Sequence, residues 1–423
     1  MKVFKFGGAS VNSANAVRNM AQIVRSHLDS EPLIVVVSAM GKTTNLLEKL
    51  VPGSTTENNQ QSLRQQLEQY HIDIANTLIP NDNGLINKIL HLLRQLDSTL
   101  EQLQPSTEHY NYNYDQVVCF GELISTTIIS EYLNNLGINT LWQDARHFIR
   151  TDSHFREGHV DWEATQTQCT TLKKDACGYQ AIITQGFIGG CRNFHATTTL
   201  GREGSDYSAA ILAYCMDAES VTIWKDVPGF LNADPKFFHD TIKINQLPYN
   251  EAIELAYYGA SVIHPKTVKP LQNKGIPLYI RSFLSPEAEG SSIGDYKNIV
   301  PETPLYIFAK NQILLSILPR DYSFIAEDNL QVIFGILNEL GIRVNLMQNS
   351  ALSFSICINN NPQLVRPLIE RLGSMFRVRY NENLQLITIR YYTQEVIDQI
   401  VDSRPILLEQ RSRSTEQIIV SEK

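Results

Sequence analysis

Leu33, Ile34, Val35, Val36 and Val37 are five consecutive apolar residues with nothing polar between them. A strand with one face in water would alternate, because successive side chains point to opposite faces of a sheet. An unbroken run demands cover on both faces, which is the situation of parallel sheets flanked by helices. The surrounding chain supplies such helices. The opening KVFKF is a short apolar strand that runs into Gly7 and Gly8, followed by Val17, Ala21, Val24 and Leu28 at helical spacing. Strands are predicted again at TLWQDA, QAIITQGFIG and SVTIWKDVPG, with helices at SDYSAAILAYCM and YNEAIELAYYG between them. This alternation predicts a mainly parallel α/β sheet. From residue 58 to 104 the sequence is polar and Leu-spaced (Leu63, Leu67, Leu92, Leu93, Leu96, Leu100), which predicts an amphipathic helical excursion.

A chain of 423 residues is too long for one core, so two or three domains are expected. Composition shifts to Pro, Ser, Gly and Glu at SPEAEGSSIGDYKNIVPETP, which reads as a linker. The expected domains are therefore 1–300 and 301–423. Beyond the linker, ILLSILP, DNLQVIFGILNELG, RVNLMQ, LSFSICI, PQLVRPLIERLG and FRVRY read as β-α-β-β-α-β, a ferredoxin-like α+β unit. A shortened second copy follows as LQLITIR, TQEVIDQIV, ILLEQ and EQIIV, with LYIFAKN available as its missing edge. Tandem small units behind a larger α/β domain suggest regulation, or a dimerisation platform.

With 43% hydrophobic and 19% charged residues the chain should fold over most of its length. A formal charge of −8 and no cluster of Lys and Arg argue against nucleic acid or an anionic membrane as partner. The six cysteines form no CxxC pair and no metal-ligand spacing, so free thiols in a reducing compartment are expected, with no structural metal. MKVFKFGGAS lacks the apolar run of a signal peptide and no segment is long enough to span a bilayer, so the expected compartment is the cytoplasm.

Lys5 lies at the end of the first strand, just before Gly7 and Gly8. Glycines there let backbone N–H groups approach phosphate oxygens, and the next helix N-terminus adds partial positive charge. GKT at Gly41–Thr43 is not a P-loop, because Val36 stands where the motif needs its first glycine. Ser38 and Thr44 remain as hydroxyls at a strand's carboxyl end, where ligands bind in open α/β sheets. TTTLGREGSD gathers an Arg fork for a carboxylate (Arg202), small residues and an acid, with Ser205 or Asp206 as a possible helix N-cap. KDVPGFLNADP is a turn-rich stretch after a strand, suited to a nucleotide's phosphate or base; HPKT places Lys266 beyond a helix; and Glu122 in FGELIS is read as opening a helix, where a carboxylate could bind a substrate ammonium or complement the helix dipole.

In this order, KFGGAS, VVVSAM with TTN, FGELIS, TTTLGREGSD, IWKDVPG with ADP, and ELAYYGASVIHPKT resemble the aspartate kinases, over roughly the whole chain. The resemblance implies a three-layer α/β/α sandwich catalytic domain of the amino acid kinase superfamily and C-terminal ACT domains. It implies that Lys5 stabilises the transferring phosphoryl group, with Asp206 holding that lysine. Gly7, Gly8 and Ser10 would line the phosphate path. Thr44, Glu122, Arg202 and Ser205 would bind L-aspartate, Arg202 by its α-carboxylate. Lys225, Asp226, Leu231, Lys236, Lys266 and Thr267 fall in the stretches that hold ATP, with Mg²⁺ bridging phosphates. The chain departs from the family at Ala9 (usually Thr), at Glu203 (often Gly), and at Lys225, Leu231 and Lys236 (often Thr, Tyr and Arg). Lysine-sensing relatives carry an Asp near Asn345, so an amino-acid effector at the ACT region is expected but lysine inhibition is not. No dehydrogenase segment follows within the sequence, so a monofunctional enzyme is expected, paired as a homodimer or higher homo-oligomer. The competing expectations are a kinase for another amino acid such as glutamate, and a catalytically silent ACT-based sensor.

Overall fold

The computed structural model describes residues 1–54, 60–106, 108–191, 196–238, 240–260, 263–321 and 323–422. They fold as two units, one of Met1–Phe230, Lys243–Ala256 and Ser261–Pro301, the other of Leu231–Ile242, Tyr257–Ala260 and Glu302–Lys423.

The first unit is built on an eight-stranded sheet. Its spatial order is Gln246–Pro248, Ser291–Gly294, Leu278–Ser282, Ser220–Lys225, Lys2–Phe6, Leu33–Val37, Ala181–Gln185, Thr140–Gln143. Neighbours are parallel except Leu278–Ser282 with Ser291–Gly294. Every residue of Leu33–Val37 and of Ala181–Gln185 is buried. Since alternate residues point opposite ways, both faces of the sheet are covered, as the unbroken apolar run requires. The expected helical excursion forms two helices, Gln60–Leu78 and Asn83–Gln102, the second capped by the Asp82 side chain accepting from Leu85 N at 3.0 Å.

Strand order reverses at Lys2–Phe6. The chain leaves it for Leu33–Val37 on one side and returns as Ser220–Lys225 on the other, opening a crevice beyond the carboxyl ends. Register sets Lys5 between Val36 and Ile223. Behind this edge Trp224 is fully buried, stacked on Phe6 at 6.1 Å and edge-on to Phe4 at 5.6 Å, which fixes the strand that carries Lys5.

The FGELIS segment is not a helix start. Glu122 lies in the interior of one 26-residue helix, Tyr110–Asn135. Gly121, just before it, does not interrupt the helix. A Cβ there would come within 2.9 Å of Ala39 Cβ and 3.3 Å of Leu47 Cδ1, so it is a packing glycine that lets the helix press against the connection after Leu33–Val37.

The second unit is a six-stranded antiparallel sheet in the order Val344–Asn349, Phe354–Asn359, Leu305–Pro319, Phe376–Arg390, Thr415–Ser421, Ile406–Arg411. Helices Glu327–Glu339 and Pro362–Met375 serve one half and Gln394–Val401 the other. Each half has its own core, Ile313, Leu315, Ile333 and Leu368 in one and Ile387, Ile397, Val401 and Ile418 in the other. LYIFAKN supplies the edge of the second half, since Leu305–Ala309 pairs with Arg390–Leu386. Expected as separate strands, LYIFAKN and ILLSILP are one 15-residue strand, and FRVRY and LQLITIR are another. Asn311 and Asn383, both at positive φ (53° and 56°), bend these strands where the register shifts, and Asn tolerates that conformation without ending the ladder.

Candidate active site

The carboxyl ends of Lys2–Phe6, Leu33–Val37 and Ser220–Lys225 open into a cavity of about 940 Å³. Its lining includes Lys5, Gly8, Ser38, Thr44, Glu122, Arg202, Glu203, Ser205, Asp206 and Lys225. Residues distant in sequence therefore meet at one sheet edge.

At the floor, Lys5 Nζ lies 2.6 Å from Asp206 Oδ1 and Lys225 Nζ 3.3 Å from Asp206 Oδ2. Asp206 is buried in the first turn of the helix Gly204–Met216, where the dipole favours an acid. Burial alone would raise its pKa, yet the charges of Lys5 and Lys225 hold it below the usual aspartate value. One carboxylate thus fixes two ammonium groups that look into the cavity.

The expected cap is corrected here. Neither Ser205 nor Asp206 caps Gly204–Met216. Glu203 occupies the N-cap with φ 53°, and its side chain makes no capping hydrogen bond. That left-handed conformation strains any residue with a Cβ and suits glycine, the residue that the resemblance leads one to expect there. The side chain lines the cavity, with Oε2 buried and without a hydrogen-bond partner, and burial pushes its pKa up.

Glu122 enters from the middle of its helix. Ala39 N donates to Oε1 at 3.2 Å, while Oε2 is buried with no partner. Burial raises its pKa to about 8. Ser38 Oγ donates to Ser205 Oγ at 3.0 Å, and Arg202 is an exposed cation at the rim. Gly8 brings the backbone close. A Cβ there would meet Ala39 O at 2.8 Å and Gly41 O at 2.9 Å, so the turn admits only glycine.

Gly7 adjoins Lys5, its virtual Cβ 3.5 Å from Nζ. Ser10 is buried, with Oγ 3.5 Å from Trp224 O. Asp226 is exposed, Lys266 is exposed in the first turn of Pro265–Lys274, and Thr267 is buried beneath it. None of these five lines the cavity. Leu231 and Lys236 belong to Leu231–Ile242 of the second unit.

Sequence reasoning missed Asp115 and Phe187. Asp115 is buried in the Tyr110–Asn135 helix and accepts from Arg156 N (2.8 Å), Thr199 N (2.9 Å) and Thr199 Oγ1 (2.7 Å). It fastens two lining residues to one helix. Burial raises its pKa to about 6 against those hydrogen bonds. Phe187 lines the cavity at φ 69°, held by its N donating to Ser208 Oγ and its O accepting from Leu200 N. No local pattern marks a phenylalanine for that conformation.

Residues 1–282 match the Amino acid kinase family. Lysine-sensitive aspartokinase 3 of Escherichia coli K12 is 31% identical over 398 residues, 92% of this chain and 86% of that protein. Aspartokinase 1, chloroplastic, of Arabidopsis thaliana is 30% identical over 376 residues, 87% of this chain, and the chain spans only 65% of that relative's length. The solved structure of E. coli aspartokinase III in complex with aspartate and ADP covers 100% of this chain and 96% of its own, with TM-score 0.82 and 28% identity. Its complex with lysine and aspartate gives TM-score 0.82 at 29% identity.

Proposed function

Because this chain belongs to the amino acid kinase family and, within it, to the aspartokinases, we propose that its cavity transfers the γ-phosphoryl group of ATP to the side-chain carboxylate of L-aspartate. The products are 4-phospho-L-aspartate and ADP. In this reading 1–300 is the catalytic domain and 301–423 the regulatory ACT region.

The observation that carries the reading is the division of the cavity's charges. Two lysines pinned by Asp206 offer fixed positive charge to a transferring phosphoryl group, while Glu122 presents an unsatisfied carboxylate oxygen to a substrate ammonium. Aspartate has the matching groups: an ammonium for Glu122, an α-carboxylate for Arg202 and a second carboxylate directed toward the lysines. That second carboxylate is ionised at neutral pH, so in-line attack on the γ-phosphorus needs no general base. Catalysis then rests on alignment and preorganised charge. Gly8 admits the phosphates to the backbone, and Ser205, Ser38 and Thr44 offer hydroxyls beside the acceptor.

Both oxygens of Asp206 are already paired with ammonium groups, so Mg²⁺ would be held chiefly by the phosphates of ATP and by water, as this ion commonly is. Mg²⁺ arriving with the nucleotide would neutralise phosphate charge. Nucleotide contacts from Lys225, Asp226, Lys266 and Thr267, and from Leu231 and Lys236, remain part of this reading, as does pairing of two copies. No helix among the described residues is long and apolar enough to cross a membrane.

The test is ADP release with L-aspartate and with L-glutamate. Turnover should require aspartate, and Lys5→Ala should lower it by about a hundredfold or more with an unchanged circular dichroism spectrum. Preference for glutamate, binding without ADP release, or near-normal activity of the variant would each defeat the assignment.

A further inference from the structure

We propose that Asp152, His154 and His159 form a binding site for one divalent transition cation of the Zn²⁺ class at the lip of the cavity, and that its occupancy slows turnover. The three residues stand on one short loop whose ends are pinned. Thr151 and Val160 pair as an antiparallel bridge, and Asp152 N donates to His159 O at 3.0 Å. Asp152 Oδ1 accepts from the backbone N of His154 and of His159, each at 3.0 Å, which fixes the carboxylate. Its Oδ2 then faces the imidazoles, 2.7 Å from His159 Nδ1 and 3.9 Å from His154 Nδ1. The two rings lie 4.8 Å apart.

One ligand atom from each residue lies within 4.8 Å of the other two. Tetrahedral Zn²⁺, with bonds of about 2.0–2.1 Å, separates its ligand atoms by roughly 3.3 Å. The two carboxylate–imidazole distances bracket that spacing, so small rotations of exposed rings would meet it. An Asp–His hydrogen bond accounts for His159, and His154 Nδ1 stands 3.9 Å from the same oxygen, so donors of three residues converge on one point. Two nitrogens and one oxygen select a borderline metal over Mg²⁺, which prefers oxygen and keeps its water. Cysteine spacing gave no hint of this set, because no thiol takes part.

His154 lines the catalytic cavity, and so do Phe155, Arg156 and Glu157 that follow it. A cation held between positions 152 and 159 would restrain that wall. The regulatory half of the proposal rests on the kinase reading; the binding half does not.

The full chain, stripped of metal by a chelator and carrying Cys177→Ser to remove the exposed thiol, is titrated with Co²⁺ and its ligand-field absorption followed. One equivalent should bind and be displaced by Zn²⁺. His159→Gln and, separately, His154→Gln should each weaken binding by about tenfold to a hundredfold, as loss of a metal-site partner does. Binding unchanged in both variants overturns the site. In a second arm, ADP release at saturating Mg²⁺ and ATP is measured against buffered free Zn²⁺. Inhibition should set in at the concentration that fills the site, and shift by the same factor in His159→Gln, whose metal-free rate is normal. Inhibition that does not shift overturns the regulatory half. A chain that binds Co²⁺ at this site but never consumes aspartate retracts the kinase reading and leaves the site standing.

Discussion

Glu122 is the residue at which the proposed chemistry and an observable quantity meet. Its carboxyl is buried, one oxygen unsatisfied, and its pKa stands at about 8 against an ordinary 4.5. The folded state holds this proton more tightly than the unfolded chain, so stability from this group is present at low pH. It is lost as pH rises from 4.5 to about 8. An ammonium needs the ionised form, so aspartate affinity should climb over the same interval and level off above it. The expected results are a melting temperature that falls with pH in the ligand-free protein and a KM for aspartate that falls with it. Glu122→Gln should flatten both profiles and raise KM by about 10- to 100-fold, the loss of a charge-assisted hydrogen bond. A KM that keeps its pH slope in the variant would locate the titration elsewhere. Glu203 is the opposite case, a residue that costs stability and adds negative charge to the same wall. Glu203→Gly should relieve the left-handed strain, stabilising the fold by roughly 1 kcal/mol, net of the entropy glycine adds to the unfolded chain. It should also lower KM for aspartate, and a melting temperature that drops would show the glutamate to be structurally required.

Elements meet at Asp115. From one helix it takes hydrogen bonds from Arg156, on the loop after Arg150–Thr151, and from Thr199, the last residue of Thr197–Thr199. Asn in its place keeps the volume but offers a single acceptor oxygen, so Asp115→Asn should lower stability by about 1.5–3 kcal/mol. Thermal denaturation reads that loss, and limited proteolysis should cut first near Arg156. Cleavage unchanged from the parent chain would show that the loop is held by other contacts. This is also the scale at which the sequence stops being transparent. The strand–glycine–helix opening and the apolar strands are legible because burial on two faces forces an unbroken pattern. Lys5 and Asp206 are legible only through the ordered motifs that the chain shares with aspartate kinases, since nothing local says that positions 5 and 206 touch. Glu122 is expected from the sequence to open a helix, and nothing local shows that the helix runs through Gly121, because its reason for being glycine is a neighbour in space, not in sequence. The same limit hides the two 15-residue strands, where Asn311 and Asn383 look like turn residues yet bend a continuous ladder.

For the whole molecule, the regulatory reading of the second unit turns on which effector it would accept. Asn345 donates through Nδ2 to Gln312 Oε1 at 2.7 Å and to Asn359 Oδ1 at 2.9 Å, a network of neutral amides. Beside it lies a cavity of about 480 Å³ whose lining includes Tyr257, Phe334, Leu337, Asn345, Gln410 and Gln417 and contains no charged side chain. Arg343 stands close, its guanidinium 5.0 Å from the Tyr257 ring and donating to Tyr257 O at 2.9 Å. A lysine side chain placed there would give up hydration for its ammonium with no carboxylate to replace it and a cation nearby. A neutral side chain would lose little, its α-carboxylate finding Arg343 and the amides. Coupling between sites is a difference in effector affinity between two states of the protein, typically 1–3 kcal/mol. The ADP-release assay repeated with lysine, threonine and methionine should therefore show about a 5- to 150-fold change in apparent aspartate affinity with a neutral amino acid and little with lysine. Asn345→Ala, which opens the amide network without adding charge, should blunt the response while sparing the uninhibited rate. Strong inhibition by lysine alone would mean that the effector binds outside this neutral cavity.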